Sequence, residues 1–426
     1  MKNIVIIFGY NNTRVYDIER LKKISHEILN ADIMLCKEEI TSVDTNITPY
    51  TLKINLAQYD DESLSRQIKE IDEYISSQNF TVCACLPFSD KGIPLGSLYA
   101  KHKRLPHDNT ERSMVCIDKY SFRILEKDAA TPTWYKKPFF KKIHTLSEAE
   151  ECIKNAINPL FFKPVAEGNS RGCIEIKTFE DLNLNLDIIS MYLEQGILIE
   201  ECIKECDEFS FDGIDGNYII TEKKTSQGYY RVETQHILPA PLDAKLYERL
   251  MEAGKIVSEI SGSQNGAVHN ELFLNKLTGD VYCVEPNRRP AGLKLWDWIG
   301  VAFPGTNNWN AWVNWAAGKK NAADFGTQQF YVGCRMLQAH KAGKITKINN
   351  TIKEQIQNHK NVYDIALTKF EGQIITNNLK DNSHFTGYIV CKSETIDDLR
   401  SMLEQMEKEE IFLKNIVTIL FLLPMI

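Results

Sequence analysis

The first 115 residues alternate two hydrophobic patterns. Apolar runs such as NIVIIFG, ADIMLC and FTVCACLPF are separated by YDIERLKKISHEIL and ESLSRQIKEIDEYISS, whose apolar positions have helical spacing. This alternation predicts a parallel α/β sheet, because continuous apolar runs are typical of strands buried on both faces. The first strand–helix turn reads FGYNN rather than GxGxxG, which gives a dinucleotide site little support. A scaffold domain is therefore predicted over residues 1–115.

The pattern changes after residue 115. Residues 116–195 contain a helix ended by ATPT, a strand, a second helix at LSEAEECIKNAI and the hairpin LFFKPVAEGNSRGCIEI. In residues 196–320 the strand patterns GILIEECI, DEFSFDGI, YIITEKK and RVETQHIL precede the amphipathic helix LDAKLYERLMEAGKIVSEIS. Residues 321–426 contain three strand patterns and the exposed helix ETIDDLRSMLEQMEKEE. These features predict a multidomain protein combining α/β and α+β architecture.

The amino-acid composition limits the classes of molecule that the protein is expected to bind. The 426 residues are 43% hydrophobic, enough for several cores, and the net charge of -7 provides no basic field to attract nucleic acid. The 11 cysteines include no CxxC pair, which is typical of a reduced, cytoplasmic protein. The start lacks the features of a signal peptide. The apolar tail, residues 416–426, is shorter than the roughly 20 residues of a membrane helix. It predicts a buried terminal element or a homodimer contact.

Polar residues concentrate in the segment AVHNELFLNKLTGDVYCVEPNRR, where two alternating runs flank the turn-forming NKLTGD. A turn centred near Thr278 would place Glu271 opposite Glu285, and His269 opposite Asn287, in an antiparallel hairpin. Since strand side chains alternate between faces, these four would share one face. His269 is interpreted either as a hydrogen-bonded packing residue or as a substrate contact.

Two facing carboxylates repel each other, so a positive ion is expected between them. Magnesium suits Glu271, Glu285 and Asn287, because it prefers carboxylate and amide oxygens and completes its shell with water and phosphates. Arg289, one alternation further on, would point a guanidinium at those phosphates. Arg288 is out of phase and is predicted to face away and to tolerate alanine. The alternative, an exposed hairpin with solvated charges, accounts less well for four residues in register.

A second candidate element is the hairpin FFKPVAEGNSRG. Lys163 ends a buried strand, where an ammonium group requires an anion near its tip. In the following loop, residues 167–172, Gly168 and Gly172 let backbone N–H groups approach phosphate oxygens. The loop lacks the GK[ST] of a Walker A motif. An ordinary surface turn is the alternative.

Taken in order, DKYSFRILE, FFKPVAEGNSRGC, LIEECIKECDEFSFDG and VHNELFLNKLTGDVYCVEPNRRPAG resemble the motifs of the ATP-grasp superfamily of carboxylate–amine ligases. The H-x-E and E-x-N-x-R spacings are most similar to those of bacterial L-amino-acid ligases that form dipeptides. The resemblance implies an ATP-grasp fold with an N-terminal Rossmann-like (pre-ATP-grasp) domain at residues 1–115. A lysine and glycine-loop subdomain (116–195), a central antiparallel sheet with the metal site (196–320) and a C-terminal α+β subdomain (321–426) would follow.

The resemblance also implies a function. The chain would use ATP and Mg²⁺, or Mn²⁺ in its place, to join a carboxylate substrate to an amine through an acyl-phosphate. The ATP-binding residues would be Lys119, Lys163, Glu167, Gly168, Ser170, Gly172, Glu200, Glu201, Cys202, Ile203 and Glu208. Within that set the lysines would bind phosphates, residues 200–203 would face the adenine and Glu208 the ribose. Glu271, Glu285 and Asn287 would hold the metal, Arg289 would act with the two glutamates in catalysis, and His269, Arg289 and Gly292 would contact substrate.

The sequence departs from the family pattern at two places. Arg288 stands where proline usually precedes the arginine, and Pro286 precedes Asn287 instead, which predicts an edge strand or a kink. The segment ECIKECDEF is one residue longer than expected. Alternatives with the same fold are a carboxylase and a ligase of purine biosynthesis, and a third is a non-catalytic nucleotide-binding relative. Retention of Glu271, Glu285, Asn287 and Arg289 argues against the last. Trp296 and Trp298 are predicted to lie in a core or domain interface, with a side-chain pocket as the alternative.

Overall fold

The computed structural model describes residues 1–168, 171–226, 231–320, 325–408 and 411–415. The N-terminal unit is a four-stranded parallel sheet in the order β3-β2-β1-β4. Its elements are β1 Lys2–Phe8, α1 Val15–Leu29, β2 Ala31–Lys37, α2 Ser42–Ile47, β3 Thr51–Lys53, α3 Asp61–Ser77, β4 Phe80–Pro87 and α4 Gly92–His102. The parallel α/β architecture predicted for this part of the chain is confirmed.

A second sheet, in the order β6-β9-β7-β8, is antiparallel and follows a linking helix. The elements of this part are α5 Lys119–Asp128, β5 Tyr135–Lys136, β6 Phe140–Ile143, α6 Leu146–Asn155, β7 Leu160–Pro164, β8 Ile174–Ile176, α7 Phe179–Leu184, α8 Leu186–Tyr192 and β9 Ile197–Glu201. The short strand β5 leaves this unit and pairs with β14 of the next sheet. The two units are therefore joined by backbone hydrogen bonds.

The largest sheet has the order β17-β19-β15-β12-β11-β10-β13-β14-β5. The elements from residue 207 onward are β10 Asp207–Ile214, β11 Asn217–Thr225, β12 Glu233–Leu238, α9 Ala244–Ser261, β13 Val268–Leu274, β14 Val281–Glu285, α10 Leu295–Ala302, α11 Asn308–Ala316, β15 Tyr331–Leu337, β16 Gly343–Ile348, α12 Asn350–Gln357, β17 Val362–Leu367, β18 Ile374–Ile375, β19 Gly387–Ser393, α13 Ile396–Lys408 and β20 Phe412–Asn415. Strands β18, β16 and β20 form a small separate sheet. Because β15, β17 and β19 continue the large sheet, the boundary predicted near residue 320 divides one continuous sheet.

Helix α9 covers one face of the large sheet. Asp243 caps its start by accepting a hydrogen bond from the Leu246 backbone N–H at 2.9 Å. The amphipathic pattern predicts an apolar stripe of Leu246, Leu250, Val257 and Ile260; the last three are buried and Leu246 is half-buried. Gly254 lets the helix approach closely, because a Cβ at this position would lie 2.2 Å from the Phe211 ring. Helix α9 therefore packs closely against β10, the strand that carries Phe211.

A cluster of tryptophans joins the N-terminal sheet to α10 and α11. Trp296 and Trp298 are 2% and 1% exposed and share one core with residues of β1 and β2. Phe88 stacks on Trp309, with ring centroids 6.2 Å apart. The prediction that Trp296 and Trp298 lie in a core or interface is confirmed. No helix within the described ranges combines the length and apolar character needed to cross a lipid bilayer.

Candidate functional site

The β13–β14 hairpin has the predicted register. Glu271 pairs with Glu285, and the His269 backbone N–H donates to the Asn287 carbonyl at 2.8 Å. The tight turn runs from Asn275 to Asp280, whose carbonyl accepts from the Asn275 N–H at 2.9 Å. This turn alone would pair Glu271 with Val284, but a bulge between Glu271 and Leu272 adds one residue on β14. The bulge therefore brings the two carboxylates opposite each other.

Each of the facing carboxylates is held by a lysine. Lys119 Nζ, at the start of α5, lies 3.2 Å from Glu285 Oε2, and Lys223 Nζ, on β11, lies 2.6 Å from Glu271 Oε1. Burial favours the neutral amine, but the charge of Glu285 raises the pKa of Lys119 above its ordinary value. The positive charge expected beside these carboxylates is thus supplied by two ammonium groups. The sequence reasoning named Lys119 and missed Lys223.

Lys223 lies at the centre of an acidic group. Its Nζ is 3.0 Å from Glu208 and 2.5 Å from Glu233, in addition to Glu271, and its side chain is 1% exposed. Carboxylate oxygens of the three glutamates lie within 4.8 Å of one another. Burial raises the pKa of Glu208, Lys223 opposes this, and the two other carboxylates raise it further, to about 7. One ammonium group thus faces three buried carboxylates, and burial favours the neutral form of Glu208.

His269 is fixed by a buried aspartate on β10. Asp212 is fully buried, and its Oδ1 lies 2.6 Å from His269 Nδ1. Its Oδ2 accepts hydrogen bonds from Ser210 Oγ at 2.6 Å and Thr221 Oγ1 at 2.9 Å. Burial disfavours the charged imidazole, but Asp212 outweighs it and raises the pKa of His269 to about 9. His269 is thus a fixed cation whose Nε2 lies 3.5 Å from Glu271.

The donor set on this face fits a hard divalent cation. Glu271 and Glu285 have side chains 15% and 22% exposed, so they remain open to a ligand, whereas Asn287 is 3% exposed. The Asn287 amide nitrogen lies 3.3 Å from Glu285 Oε1, which places the amide beside that carboxylate. Two carboxylates and one amide oxygen are ligands that Mg²⁺ accepts. These are the residues named as metal ligands from the sequence.

The anion predicted beside Lys163 is a carboxylate of the same chain. Its Nζ lies 2.6 Å from Glu200 Oε2, and the other oxygen of Glu200 accepts from Arg123 Nε. Burial would raise the pKa of Glu200, but the charges of Arg123 and Lys163 lower it to about 2. Arg123 also binds Glu126 at 2.6 Å and donates to the Cys283 carbonyl of β14 at 2.7 Å. This buried network, which the sequence reasoning missed, connects β9 to the strand that carries Glu285.

The glycine loop lies against Lys119. Lys119 Nζ donates to the Glu167 carbonyl, and Arg171 pairs with the Glu167 carboxylate at 2.9 Å. Gly172 has φ +69°, and a Cβ there would lie 2.7 Å from Tyr192, so only glycine fits without rearrangement. Gly168 has open space around its Cα. Ser170 lies outside the described residues.

The residues assigned to the adenine face of the site point in different directions. Glu200 points to Lys163, whereas Glu201 Oε1 accepts a hydrogen bond from the Phe139 N–H at 3.3 Å. The Cys202 N–H donates to the Pro159 carbonyl at 2.9 Å. Ile203 follows as a half-buried residue. Glu200 and Glu201 therefore lie on opposite sides of β9.

Arg288 and Arg289 contact different parts of the chain, in agreement with the prediction that Arg288 faces away from Arg289. Arg289 Nε lies 2.9 Å from both carboxylate oxygens of Asp90 in the loop after β4. Arg288 is 2% exposed and donates to the carbonyls of Asn109 at 2.8 Å and Gly262 at 3.1 Å. This burial argues against the expectation that Arg288 tolerates alanine, because alanine would leave a cavity and take the side-chain donor from the Asn109 carbonyl, whereas the Gly262 carbonyl keeps the Asn109 N–H.

The region around Pro286 also differs in detail from expectation. Strand β14 ends at Glu285 and lies between β13 and β5, so it is not an edge strand of the sheet. Pro286 follows the last paired residue and needs no hydrogen bond within the ladder. Gly292, two residues beyond Pro290, has open space around its Cα. The neighbouring Ala291 carbonyl accepts from Arg14 Nη2 at 3.0 Å.

No family model matches the chain. The vancomycin B-type resistance protein VanB of Enterococcus faecalis is 26% identical over 195 residues, which is 42% of this chain and 54% of that protein. D-alanine–D-alanine ligase of Rickettsia peacockii is 30% identical over 184 residues, covering 37% and 56%. The chain thus spans about half the length of these curated relatives.

Similarity to solved structures extends over nearly the whole chain. L-amino acid ligase from Bacillus licheniformis superposes with a TM-score of 0.77 at 17% identity, covering 97% of this chain and 99% of that one. The ADP complex of N5-carboxyaminoimidazole ribonucleotide synthetase has a TM-score of 0.65 at 13% identity, covering 96% and 98%. These comparisons establish the multidomain ATP-grasp fold. The ATP-grasp fold predicted from the motifs is therefore confirmed, and the proteins similar to this chain include D-alanine–D-alanine ligase and L-amino acid ligase.

Proposed function

We propose that the chain is an ATP-dependent ligase that joins a carboxylate, preferably of an amino acid, to an amine through an acyl-phosphate and releases ADP and phosphate. The observation that carries this proposal is the face of the β13–β14 hairpin. There, Glu271 and Glu285 oppose each other beside Asn287, and Lys119 and Lys223 neutralise them. A surface with this charge density serves phosphate chemistry better than structural stability.

The chain's cations would bind the phosphates of ATP. Lys119 and Lys163 each pair with a carboxylate, so a phosphate would compete with Glu285 and Glu200 for them. The loop containing Glu167, Gly168, Ser170 and Gly172 would close over the same phosphates, because Lys119 already contacts the Glu167 carbonyl. Residues 200–203 would bind the adenine, and Glu208, held by Lys223, the ribose.

The hairpin face would hold the metal. Glu271, Glu285 and Asn287 would bind Mg²⁺, which neutralises phosphate oxygens and orients them for transfer. Mn²⁺ offers the same oxygen preference and is proposed to substitute. Lys223 would keep Glu271 ionised and positioned, since an ammonium 2.6 Å away favours the carboxylate form.

Arg289 would stabilise the charge that develops as the acyl-phosphate forms and is attacked. Arg289 lies two residues beyond Asn287, and its side chain, paired with Asp90, is 21% exposed. His269, a cation held by Asp212, would contact substrate beside Glu271. Gly292 would leave room for the substrate, because its Cα borders open space.

The remaining sequence-based expectations enter the same proposal. The division at residues 115, 195 and 320 would separate functional subdomains. The partners would be small-molecule acids and amines, and neither nucleic acid nor a membrane. The apolar tail is the basis for proposing a homodimer. The reduced cysteines are the basis for proposing a cytoplasmic location. The tail, residues 416–426, lies outside the described residues.

The direct test is a screen of amino-acid pairs with the purified chain, Mg²⁺ and ATP. ADP and phosphate are expected only when a suitable carboxylate and amine are present together. Formation of AMP and pyrophosphate would contradict the acyl-phosphate route. A strict requirement for bicarbonate, or for one phosphorylated amine, would instead support the carboxylase or purine-ligase alternatives.

A further inference from the structure

Lys163, one of the lysines proposed to bind phosphate, is held by a carboxylate of the chain. Its Nζ lies 2.6 Å from Glu200 Oε2, and among the described residues no second carboxylate forms an ion pair with it. The Lys163 side chain is 10% exposed, whereas that of Glu200 is 2% exposed. Lys163 is thus the member of the pair that a ligand can reach. A phosphate that binds Lys163 must compete with Glu200 for the ammonium group.

Glu200 contacts a second cation. Its Oε1 accepts a hydrogen bond from Arg123 Nε, so each of its two oxygens pairs with a different positive group. A buried carboxylate without a counter-charge is strongly unfavourable. When Lys163 turns toward a phosphate, Glu200 keeps Arg123 and its charge stays compensated. If Arg123 were absent, Lys163 would be the only cation on this carboxylate and would be retained by it.

Arg123 is fixed by its other partners. It is 2% exposed, its Nη1 lies 2.6 Å from Glu126 Oε2, and its Nη2 donates to the Cys283 carbonyl at 2.7 Å. Each nitrogen of the guanidinium therefore has an acceptor in the protein. The two cations and two carboxylates of this buried network cancel in charge. Replacing Arg123 by a neutral residue would leave one net negative charge beside the lysine that binds phosphate.

We propose that Arg123 is a positioning residue for nucleotide binding: it keeps Glu200 paired and thereby leaves Lys163 free to bind a phosphate. This inference rests on the proposed ligase function and adds to it the reason why Lys163 is not sequestered by its own carboxylate. Arg123 is buried and fully partnered, so it acts through Glu200 and not by contact with the nucleotide. Lys119 lies one turn earlier on the same helix α5. One helix thus supplies a phosphate-binding cation and the counter-charge that releases another.

The test is a double-mutant cycle on nucleotide affinity. The dissociation constant of ATP is measured by calorimetry, with Mg²⁺ and without acid or amine, for wild type, Arg123→Met, Glu200→Gln and the double variant. Arg123→Met is expected to weaken ATP binding by about tenfold or more in the wild-type background and by less than about threefold in the Glu200→Gln background. The reason is that a neutral amide does not retain the Lys163 ammonium group. A direct contact of Glu200 with the adenine cancels, because both members of the second comparison lack it.

Lys37→Met is the matched control, because it removes a buried cation from a buried carboxylate in a different unit of the fold. The Lys37 side chain is 9% exposed, and its Nζ lies 3.1 Å from the inaccessible carboxylate of Asp44. This variant should destabilise the fold but change the ATP dissociation constant by less than about threefold. The calorimetric stoichiometry gives the fraction of protein that can bind, so partial unfolding is not mistaken for lower affinity. If Arg123→Met does not fold, all four proteins of the cycle also carry Glu126→Gln, which removes the second uncompensated carboxylate.

Two results would overturn the role of Arg123 alone. One is an Arg123→Met variant that binds ATP as well as the wild type does. The other is an equal loss of affinity in both backgrounds, which would show that Arg123 acts through the fold and not through the charge of Glu200. If the wild type binds no ATP, or forms no ADP with any acid and amine in the screen, the ligase function itself is overturned, and the role of Arg123 with it.

Discussion

Replacing Arg123 by methionine removes the centre of the buried network while nearly keeping the side-chain volume. Arg123, Glu126 and Glu200 are 2%, 1% and 2% exposed, and the substitution removes the hydrogen bonds from Arg123 to both glutamates and to the Cys283 carbonyl. Removing one partner of a buried ion pair costs about 3–5 kcal/mol. Glu200 keeps Lys163 and Glu126 keeps the Tyr135 hydroxyl, so the lower end of this range is expected.

The free energy of unfolding is measured from urea transitions of the wild type and the variant, with one common value for its dependence on urea concentration. Lys141→Met is the control, because Lys141 and its partner Glu151 are 38% and 62% exposed, and such a pair contributes about 1 kcal/mol or less. Adding Glu126→Gln to Arg123→Met should recover at least about 1 kcal/mol by removing an uncompensated charge. A loss no larger than that of Lys141→Met would refute the reasoning.

Three further predictions concern the site. Glu271→Gln and Glu285→Gln are each expected to lower phosphate release by about a hundredfold or more with an unchanged circular dichroism spectrum, and near wild-type activity at low Mg²⁺ would contradict the metal assignment. Arg289→Ala should lower kcat by about a hundredfold with little change in ATP affinity, whereas Lys163→Ala should chiefly weaken ATP binding, as measured by calorimetry. If Lys163→Ala lowers kcat and Arg289→Ala weakens ATP binding, the roles of the two residues must be exchanged. The pKa of Glu200 is about 2 in the fold against 4.5 ordinarily. Ionised Glu200 therefore adds about 3 kcal/mol to the free energy of unfolding above pH 4.5, and this contribution is lost as the pH falls toward 2. The stability gap between wild type and Glu200→Gln should therefore narrow below pH 4.5, and a constant gap in urea titrations would exclude this contribution.

The features that the sequence predicts well are those with a local cause. The N-terminal strands follow from continuous apolar runs, and the pairing of Glu271 with Glu285 was predicted from the position of one turn. That pairing was obtained without knowledge of the β14 bulge, which shifts the register by one residue relative to the turn. Local pattern therefore identified the pairing of the two carboxylates.

The residues that the sequence reasoning missed depend on contacts between distant segments. Lys223 meets Glu233 because β11 pairs with β12, and it meets Glu271 from across β10. Asp90 reaches Arg289 across 199 residues of sequence. Neither hydrophobic period nor motif spacing specifies such neighbours, because they follow from strand order and from the packing of one unit on another. A lysine on a strand rich in acidic neighbours, as in TEKKT, is the weak signal that was available.

The tryptophan cluster between the N-terminal sheet and α10–α11 has a spectroscopic consequence. Four of the six tryptophans, Trp296, Trp298, Trp309 and Trp312, are almost fully buried there. Trp315 is half-buried at the margin of the same core, and Trp134 is half-buried against a different one. Indole emission shifts to longer wavelength when water reaches the ring. Intrinsic fluorescence therefore reports chiefly on whether the N-terminal sheet remains docked, so separation of that unit can be followed without attaching a dye.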